Sequence, residues 1–359
     1  MHTRKTFIST FARLGDFLTQ FPADVRSTPQ ELVELNEKHF VDFASIIETE
    51  HIYNPWFTKA YILEAIRGIS QMLREEVLFR WLDLYDHPDF PPAKQKTIGL
   101  ILAGNIPLVG FHDLMCVLAA GHKVLAKLSS KDDRLIKKLC ELVLAIDPDL
   151  GGRIEFADEK LSGMDAVIAT GSDNSARYFE YYFRNIPHIL RKNRNGVAVL
   201  TGQESDEELA GIGKDIFTYF GMGCRNVTKL YIPREYDLKI LLRILDRYHS
   251  LIQHNKYANN VDYYRTMYLM NQVSLLDNEV LLLKEDSAIA SPVGVVFYER
   301  YSEIRWVEDQ IISRKEEIQC VVSVHRGLQG ALPPGSSQEP MPWDYADGVD
   351  TMRFLNELA

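Results

Sequence analysis

Cys224 has the most chemistry to offer in this chain. It lies in Gly221-Met222-Gly223-Cys224-Arg225-Asn226, where glycines on both sides of Met222 leave the backbone open. A thiol on such a loop, with a guanidinium beside it, can be held as a thiolate and attack a carbonyl carbon. The same setting also suits a structural cysteine. The other three cysteines read as small core hydrophobes. Cys116 sits inside Leu114-Met115-Cys116-Val117-Leu118, Cys140 in a helical pattern, and Cys320 after Ile318-Gln319 in a strand pattern. No CxxC spacing or histidine cluster accompanies them, so no zinc site is expected.

Three further stretches stand at the ends of apolar runs. Ala103-Gly104-Asn105-Ile106-Pro107 follows one such run. Asn105 there could offer its amide to a developing oxyanion, or could simply make the turn before Pro107. Val124-Leu125-Ala126-Lys127-Leu128-Ser129-Ser130 places a lysine directly at the end of an apolar strand. Burying that cation is costly unless it meets an anion or hydroxyls. Thr170-Gly171-Ser172 joins a strand to a helix start. Small residues there let a ligand approach, and a helix N-terminus suits phosphate. Gly-Ser is also ordinary turn chemistry. No GxGxxG fingerprint accompanies these stretches.

Such loops need strands and helices to position them, and the chain supplies both. It has 359 residues, 46% hydrophobic and 25% charged, the balance of a globular protein with more than one core. The net charge of −10 argues against nucleic-acid partners. No apolar run of membrane-spanning length and no signal-peptide core is present, so four reduced thiols in the cytoplasm are expected. The first ninety or so residues read as helical. Over 58–85 a stripe of Ile62, Ile66, Ile69, Leu73 and Val77 marks a helix, with Asn54-Pro55 as its expected start. From 97 onward, strand and helix alternate: strands at 97–102, 123–127, 166–170 and 196–201, and helices at 111–120, from Asp132, and at 173–183. Gly121 is placed to end the first of these helices.

Ser205 with Glu208 has the spacing of a capping box. That helix is expected to run to Phe220, with Gly221 stopping it. Strands at 229–233, 279–283, 293–298 and 318–324 and helices at 237–251 and 303–313 follow. The pattern is α/β, with parallel sheets covered by helices. Three segments are expected: 1–204, a helical section with a dinucleotide-binding domain; 205–325, a domain carrying the cysteine; and 326–359, an arm or tail packing on the first domain or on a partner subunit.

The ordered set of stretches resembles the aldehyde-dehydrogenase superfamily. Asn105-Ile106-Pro107, the helix ending Ala119-Ala120-Gly121, the strand to Lys127, Thr170-Gly171-Ser172 and Gly223-Cys224 follow that family's order over about residues 95–325. Within it the chain looks most like short bacterial LuxC-type acyl-CoA reductases, through Asn54-Pro55-Trp56-Phe57 and Tyr345-Ala346-Asp347-Gly348-Val349-Asp350. The resemblance implies the family's fold, with Cys224 as the acyl-carrying nucleophile and Asn105 as oxyanion donor. It implies a nicotinamide dinucleotide held near Gly104, Pro107, Lys127, Ser129, Gly171 and Ser172. It also implies a homodimer or larger homo-oligomer.

Three departures from the family pattern narrow the expectation. Hydrolytic members carry a Glu-Leu-Gly-Gly segment whose glutamate activates water. The matching stretch here is Leu190-Arg191-Lys192-Asn193-Arg194, with no carboxylate. That favours a thioester partner, acyl-CoA or another acyl thioester, and the three basic residues could meet its phosphates. The family's Lys-Pro-Ser-Glu reads Lys127-Leu128-Ser129-Ser130, followed by Lys131. Without the acid, NADPH is expected over NADH, which stays possible. The family's Glu-x-Phe-Gly-Pro aligns with Ala288-Ile289-Ala290-Ser291-Pro292, where its ribose-binding glutamate is missing. The expected activity is NADPH-dependent reduction of a fatty acyl thioester to an aldehyde. The alternatives are a hydrolytic aldehyde dehydrogenase using NAD and a noncatalytic scaffold subunit of a fatty-acid-reducing complex.

Overall fold

The computed structural model describes residues 3–23, 29–85, 94–157, 161–171 and 173–358. It divides into two compact units, Met1–Lys192 with Pro340–Ala359, and Asn193–Glu339.

The first unit opens with four helices, α1 (Arg4–Ala23), α2 (Val33–Tyr53), α3 (Lys59–Met72) and α4 (Glu75–Leu82). The expected helical stripe is therefore two helices. Thr58, not Asn54, caps α3 by accepting from the Tyr61 N–H. Asn54 instead ends α2. The α/β part runs β1 (Thr97–Ile101), α5 (Phe111–Ala119), β2 (Lys123–Lys127), α6 (Arg134–Ile146), β3 (Ile154–Phe156), β4 (Ala166–Thr170), α7 (Asp173–Phe183) and β5 (His188–Arg191). Gly121 follows α5 with a φ of 78°, a conformation that glycine adopts without a Cβ clash.

All five strands are parallel, in the order β3-β2-β1-β4-β5. β1 lies between β2 and β4, so the strand order reverses there. Ligands of open α/β sheets bind at the carboxyl ends of the strands beside such a switch point. Fully buried Ile98, Leu100, Ala126, Val167 and Ala169 make the sheet's core, as expected of strands covered on both faces.

The second unit carries β6 (Asn195–Val199), α8 (Asp206–Phe217), β7 (Val227–Pro233), α9 (Leu238–Leu245), α10 (Asn255–Met270), β8 (Leu276–Asp277), β9 (Leu282–Glu285), β10 (Val295–Tyr301), α11 (Ile304–Ser313) and β11 (Ile318–Ser323). The sheet order is β11-β6-β7-β10-β9-β8, parallel except for the β8–β9 pair. Ser205 and Glu208 form the capping box that the sequence foretold.

The units meet in sequence at Lys192/Asn193 rather than at 204/205, because β6 pairs with β7 and β11. The segment expected as an arm from 326 is split as well. Residues up to Glu339 stay with the second unit. Leu332 bridges Val322, and the buried Asp215 carboxylate accepts from the Gly335 and Ser337 N–H groups (2.7 and 2.9 Å).

Only the last twenty residues, from Pro340, join the first unit. Tyr345 anchors them. Its hydroxyl accepts from Trp81 Nε1 (2.7 Å) and bonds the Tyr85 hydroxyl (2.7 Å), which donates to Asp350 (3.0 Å). The C-terminal Tyr-Ala-Asp-Gly-Val-Asp run thus clips the tail onto the N-terminal helices. Among the described residues, no helix is long and apolar enough to cross a membrane.

Candidate functional site

In the first unit, the stretches singled out in the sequence gather at one sheet edge. Asn105 follows β1, Lys127 ends β2 with Ser129 just beyond it, and Gly171 follows β4. These three strands are neighbours and point the same way. The Leu102 N–H donates to the Lys127 carbonyl (3.1 Å), tying the two turns together. Asn105 is exposed, Ser129 and Gly171 are half-buried, and Gly104 and Pro107 are buried beneath the turn. A Cβ on Gly104 would fall 2.6 Å from Ser129 Oγ, so only glycine lets the β1 and β2 turns meet. Ser172 lies outside the described residues.

Lys127 departs from expectation. Only the middle of β2 is buried, and Lys127 itself is exposed. No desolvation cost has to be met there.

The basic stretch also reads differently in three dimensions. Arg191 is buried at 4% exposure. Its guanidinium donates to both carboxylate oxygens of Asp113 (3.2 and 2.6 Å), to the Ala346 carbonyl (2.8 Å) and to Thr351 Oγ1 (2.9 Å). Arg191 therefore locks the C-terminal tail to α5 and is not available to a coenzyme A phosphate. Arg194, in the second unit, donates to the Lys315 carbonyl and to Glu316. Of the three basic residues only Lys192 is exposed. Replacing Arg191 with alanine would strand a buried Asp113 charge. It is expected to destabilise the first unit by about 3–5 kcal/mol, read as a lowered denaturation midpoint.

In the second unit, Cys224 sits on the turn between α8 and β7. The helix ends at Phe217 rather than at Phe220, and the reason is Asn226. Its buried side-chain amide donates to the carbonyls of Asp215, Ile216 and Thr218 (2.9, 3.2 and 2.8 Å), and its Oδ1 accepts from the Gly223 N–H (2.7 Å). One side chain thus satisfies the last turn of the helix and fixes the residue before Cys224. The chain between turns sharply. Tyr219, Phe220 and Gly221 have φ of 55°, 56° and 75°. For the two aromatic residues this left-handed conformation costs roughly 1–2 kcal/mol each. Gly196 supports the turn from β6. A Cβ there would lie 2.6 Å from the Arg225 carbonyl oxygen.

Cys224 is half-buried. The Arg225 guanidinium beside it donates through Nε to the Ser337 carbonyl (2.5 Å), so Asp215, which holds the Ser337 N–H, also fixes that charge. Burial pushes the other thiols up: Cys140 and Cys320 to about 12, and Cys116 well above its ordinary value. Their thiolates are inaccessible at neutral pH. Asn226 is the residue that the sequence reading quoted without a role. Replacing it with alanine leaves three carbonyls and one N–H without their partner. About 3 kcal/mol of stability should be lost, together with most of the reactivity of Cys224 toward a thiol reagent.

The loop aligned with the family's missing ribose glutamate is firmly held without it. Lys229, fully buried, donates to the Asp286 carbonyl and to Glu299 (3.0 Å). Arg314 donates to the Ser287 carbonyl, and Thr228 to that of Ile289 (2.8 Å).

No family model and no curated protein matches the sequence. Solved structures do. The chain superposes on an oxidoreductase from Marinobacter aquaeolei with a TM-score of 0.63 at 12% identity, covering 91% of this chain and 75% of that one. The indole-3-acetaldehyde dehydrogenase of P. syringae, in complex with NAD+, gives 0.58 at 14% identity over 91% and 77%. The NADP-dependent glyceraldehyde-3-phosphate dehydrogenase of Bacillus halodurans, complexed with NADP, gives 0.58 at 14% over 91% and 75%. The fold is that of the aldehyde dehydrogenases. At these identities the likeness concerns the fold. Within that fold, one unit of this chain has a parallel sheet with a switch point, and the other carries the half-buried Cys224 on a turn.

Proposed function

We propose that the chain is a nicotinamide-dependent oxidoreductase working through a Cys224 thioester, and that it reduces an acyl-CoA or related acyl thioester to an aldehyde. The observation that carries this reading is Cys224 itself. It is a half-buried thiol on a turn fixed by Asn226, while burial holds the other three thiols protonated.

In this reading Cys224 attacks the acyl carbonyl and expels the thiolate, and Asn105 donates to the oxyanion. The switch-point edge fits a dinucleotide. Lys127 offers an exposed cation, Ser129 a hydroxyl, and Gly171 a place without a side chain. When bound, the dinucleotide supplies the hydride. Cys224 holds the acyl group until then and leaves as the thiohemiacetal collapses. The reductive direction rests on the stretch 190–194, which has no carboxylate to activate water. The basic residues of that stretch no longer support coenzyme A, because Arg191 and Arg194 have partners inside the protein. NADPH is proposed over NADH, since neither Ser130 nor Lys131 offers an acid to a ribose.

The similarity to structures described as aldehyde dehydrogenases favours a second reading, oxidation of an aldehyde with NAD to a free acid. Incubation with a long-chain aldehyde and oxidised dinucleotide, with and without coenzyme A, separates the two. The proposed reading expects acyl-CoA to form when coenzyme A is present and little free acid without it. Rapid acid release without coenzyme A would establish the second.

A further inference from the structure

Behind the Asn105 turn lies a carboxyl group that no catalytic step uses. Asp132 is 2% exposed. Its Oδ2 accepts from the Leu108 N–H at 2.6 Å, and its Oδ1 has no hydrogen-bond partner among the described residues. Leu108 has a φ of 60°, a left-handed conformation that a leucine adopts only when its surroundings impose it. The Leu108 carbonyl in turn accepts from the Phe111 N–H (3.0 Å), so Leu108 joins the Asn105 turn to α5.

Asp132 is itself held from the far side. Its N–H donates to the Ser129 carbonyl (3.0 Å), and the Lys131 N–H donates to Ser129 Oγ (3.3 Å). The Asn54 side chain donates to the Lys131 carbonyl (3.1 Å) and accepts from the Trp56 N–H (3.2 Å). A connected path thus runs from Asn54-Pro55-Trp56, through the 129–132 turn, to Leu108 and the Asn105 turn.

We propose that Asp132, steadied by Asn54, is the positioning residue of the Asn105 turn, fixing Leu108 and with it the place of the Asn105 amide. The inference rests on the reading of Asn105 as oxyanion donor. It gives a purpose to the Asn-Pro-Trp segment, which is far in sequence from every residue of the candidate chemistry.

The carboxyl group's protonation agrees with this geometry. Burial is the main cause that pushes Asp132 up to about 8, and Glu50 on α2 and the adjacent Asp133 push the same way, against the Leu108 N–H. Glu50 is itself paired with Arg134 (2.8 Å). The group is therefore mainly neutral at pH 7, with a proton available for the oxygen that has no partner. Between the ordinary carboxylate range and about 8, the folded chain holds a proton that the unfolded chain has released. Stability from this group accordingly falls as pH rises through that window and levels off above it. In Asp132→Asn that part of the slope is absent.

The test measures amide exchange at Leu108 and steady-state kinetics in Asp132→Ala, Asp132→Asn and Asn54→Ala. Asp132→Ala is expected to speed exchange at Leu108 and to lower kcat by about tenfold or more with KM little changed. Asp132→Asn, uncharged and of the same shape, should restore both. Asn54→Ala should move both in the same direction as Asp132→Ala by a smaller factor, and it decides the matter if Asp132→Ala does not fold. Exchange at Leu108 equal to wild type in the alanine variants, or asparagine behaving as alanine, overturns the inference. A kcat unchanged in Asp132→Ala does so too, and leaves the Cys224 reading intact. If the wild-type chain turns over neither acyl-CoA nor aldehyde, the proposed function fails, and exchange at Leu108 alone then upholds or overturns the positioning of the turn.

Discussion

Replacing Cys224 with alanine is expected to abolish turnover of acyl-CoA and to leave dinucleotide binding unchanged. No other thiol can substitute. Cys116 and Cys140 are buried, and burial holds Cys320 near 12 with its sulfur against the Arg225 carbonyl (3.6 Å). The loss should appear in kcat and kcat/KM together, because the covalent step is removed rather than weakened. The proposed dinucleotide residues, Lys127, Ser129 and Gly171, belong to the other unit, so fluorescence titration with NADPH should give an unaltered Kd. Reduction of acyl-CoA at the normal rate by Cys224→Ala would refute the nucleophile assignment.

Asn105→Ala should cost about a hundredfold in kcat, the scale of removing one oxyanion donor. Two features make this substitution informative. Asn105 is exposed, so the change should alter stability by no more than about 0.5 kcal/mol. Gly104, Leu108 and Asp132 hold the turn's shape. A rate loss with an unchanged melting temperature therefore reports chemistry. A loss of less than about threefold, far below the scale of an oxyanion donor, would make Asn105 a turn residue only.

What the sequence displayed and what it concealed follow from the range of the interactions. Local devices were legible. The Ser205–Glu208 box and the Gly121 helix end are set by residues within a few positions of each other. The gathering of Asn105, Lys127 and Gly171 was legible too, because alternating strands and helices imply a parallel sheet with its loops at one edge. The boundary near 193 was not. An apolar strand such as Asn195–Val199 looks the same whichever sheet it joins, and its partners β7 and β11 decide. α10 escaped notice because only Tyr257, Val261 and Tyr268 of its sixteen residues are buried, too few to show a stripe.

Long-range polar contacts were the least legible. Arg191 reads as a base able to meet a phosphate, yet its carboxylate partner lies 78 residues earlier. Asn226 has no visible role in the sequence, although it caps a helix eight to eleven residues before it. In both cases the residue type was visible and the partner was not. Both corrections bear on function. One removes an argument for coenzyme A, and the other explains why the Cys224 turn is rigid.

The central claim is that Cys224 carries the acyl group. It is tested most directly by intact-protein mass spectrometry after exposure to a panel of acyl-CoAs without reductant. The account predicts a single acyl mass gain that maps to Cys224, is absent from Cys224→Ala and disappears on adding NADPH. No gain with any acyl-CoA, or a gain that persists in Cys224→Ala, would contradict it.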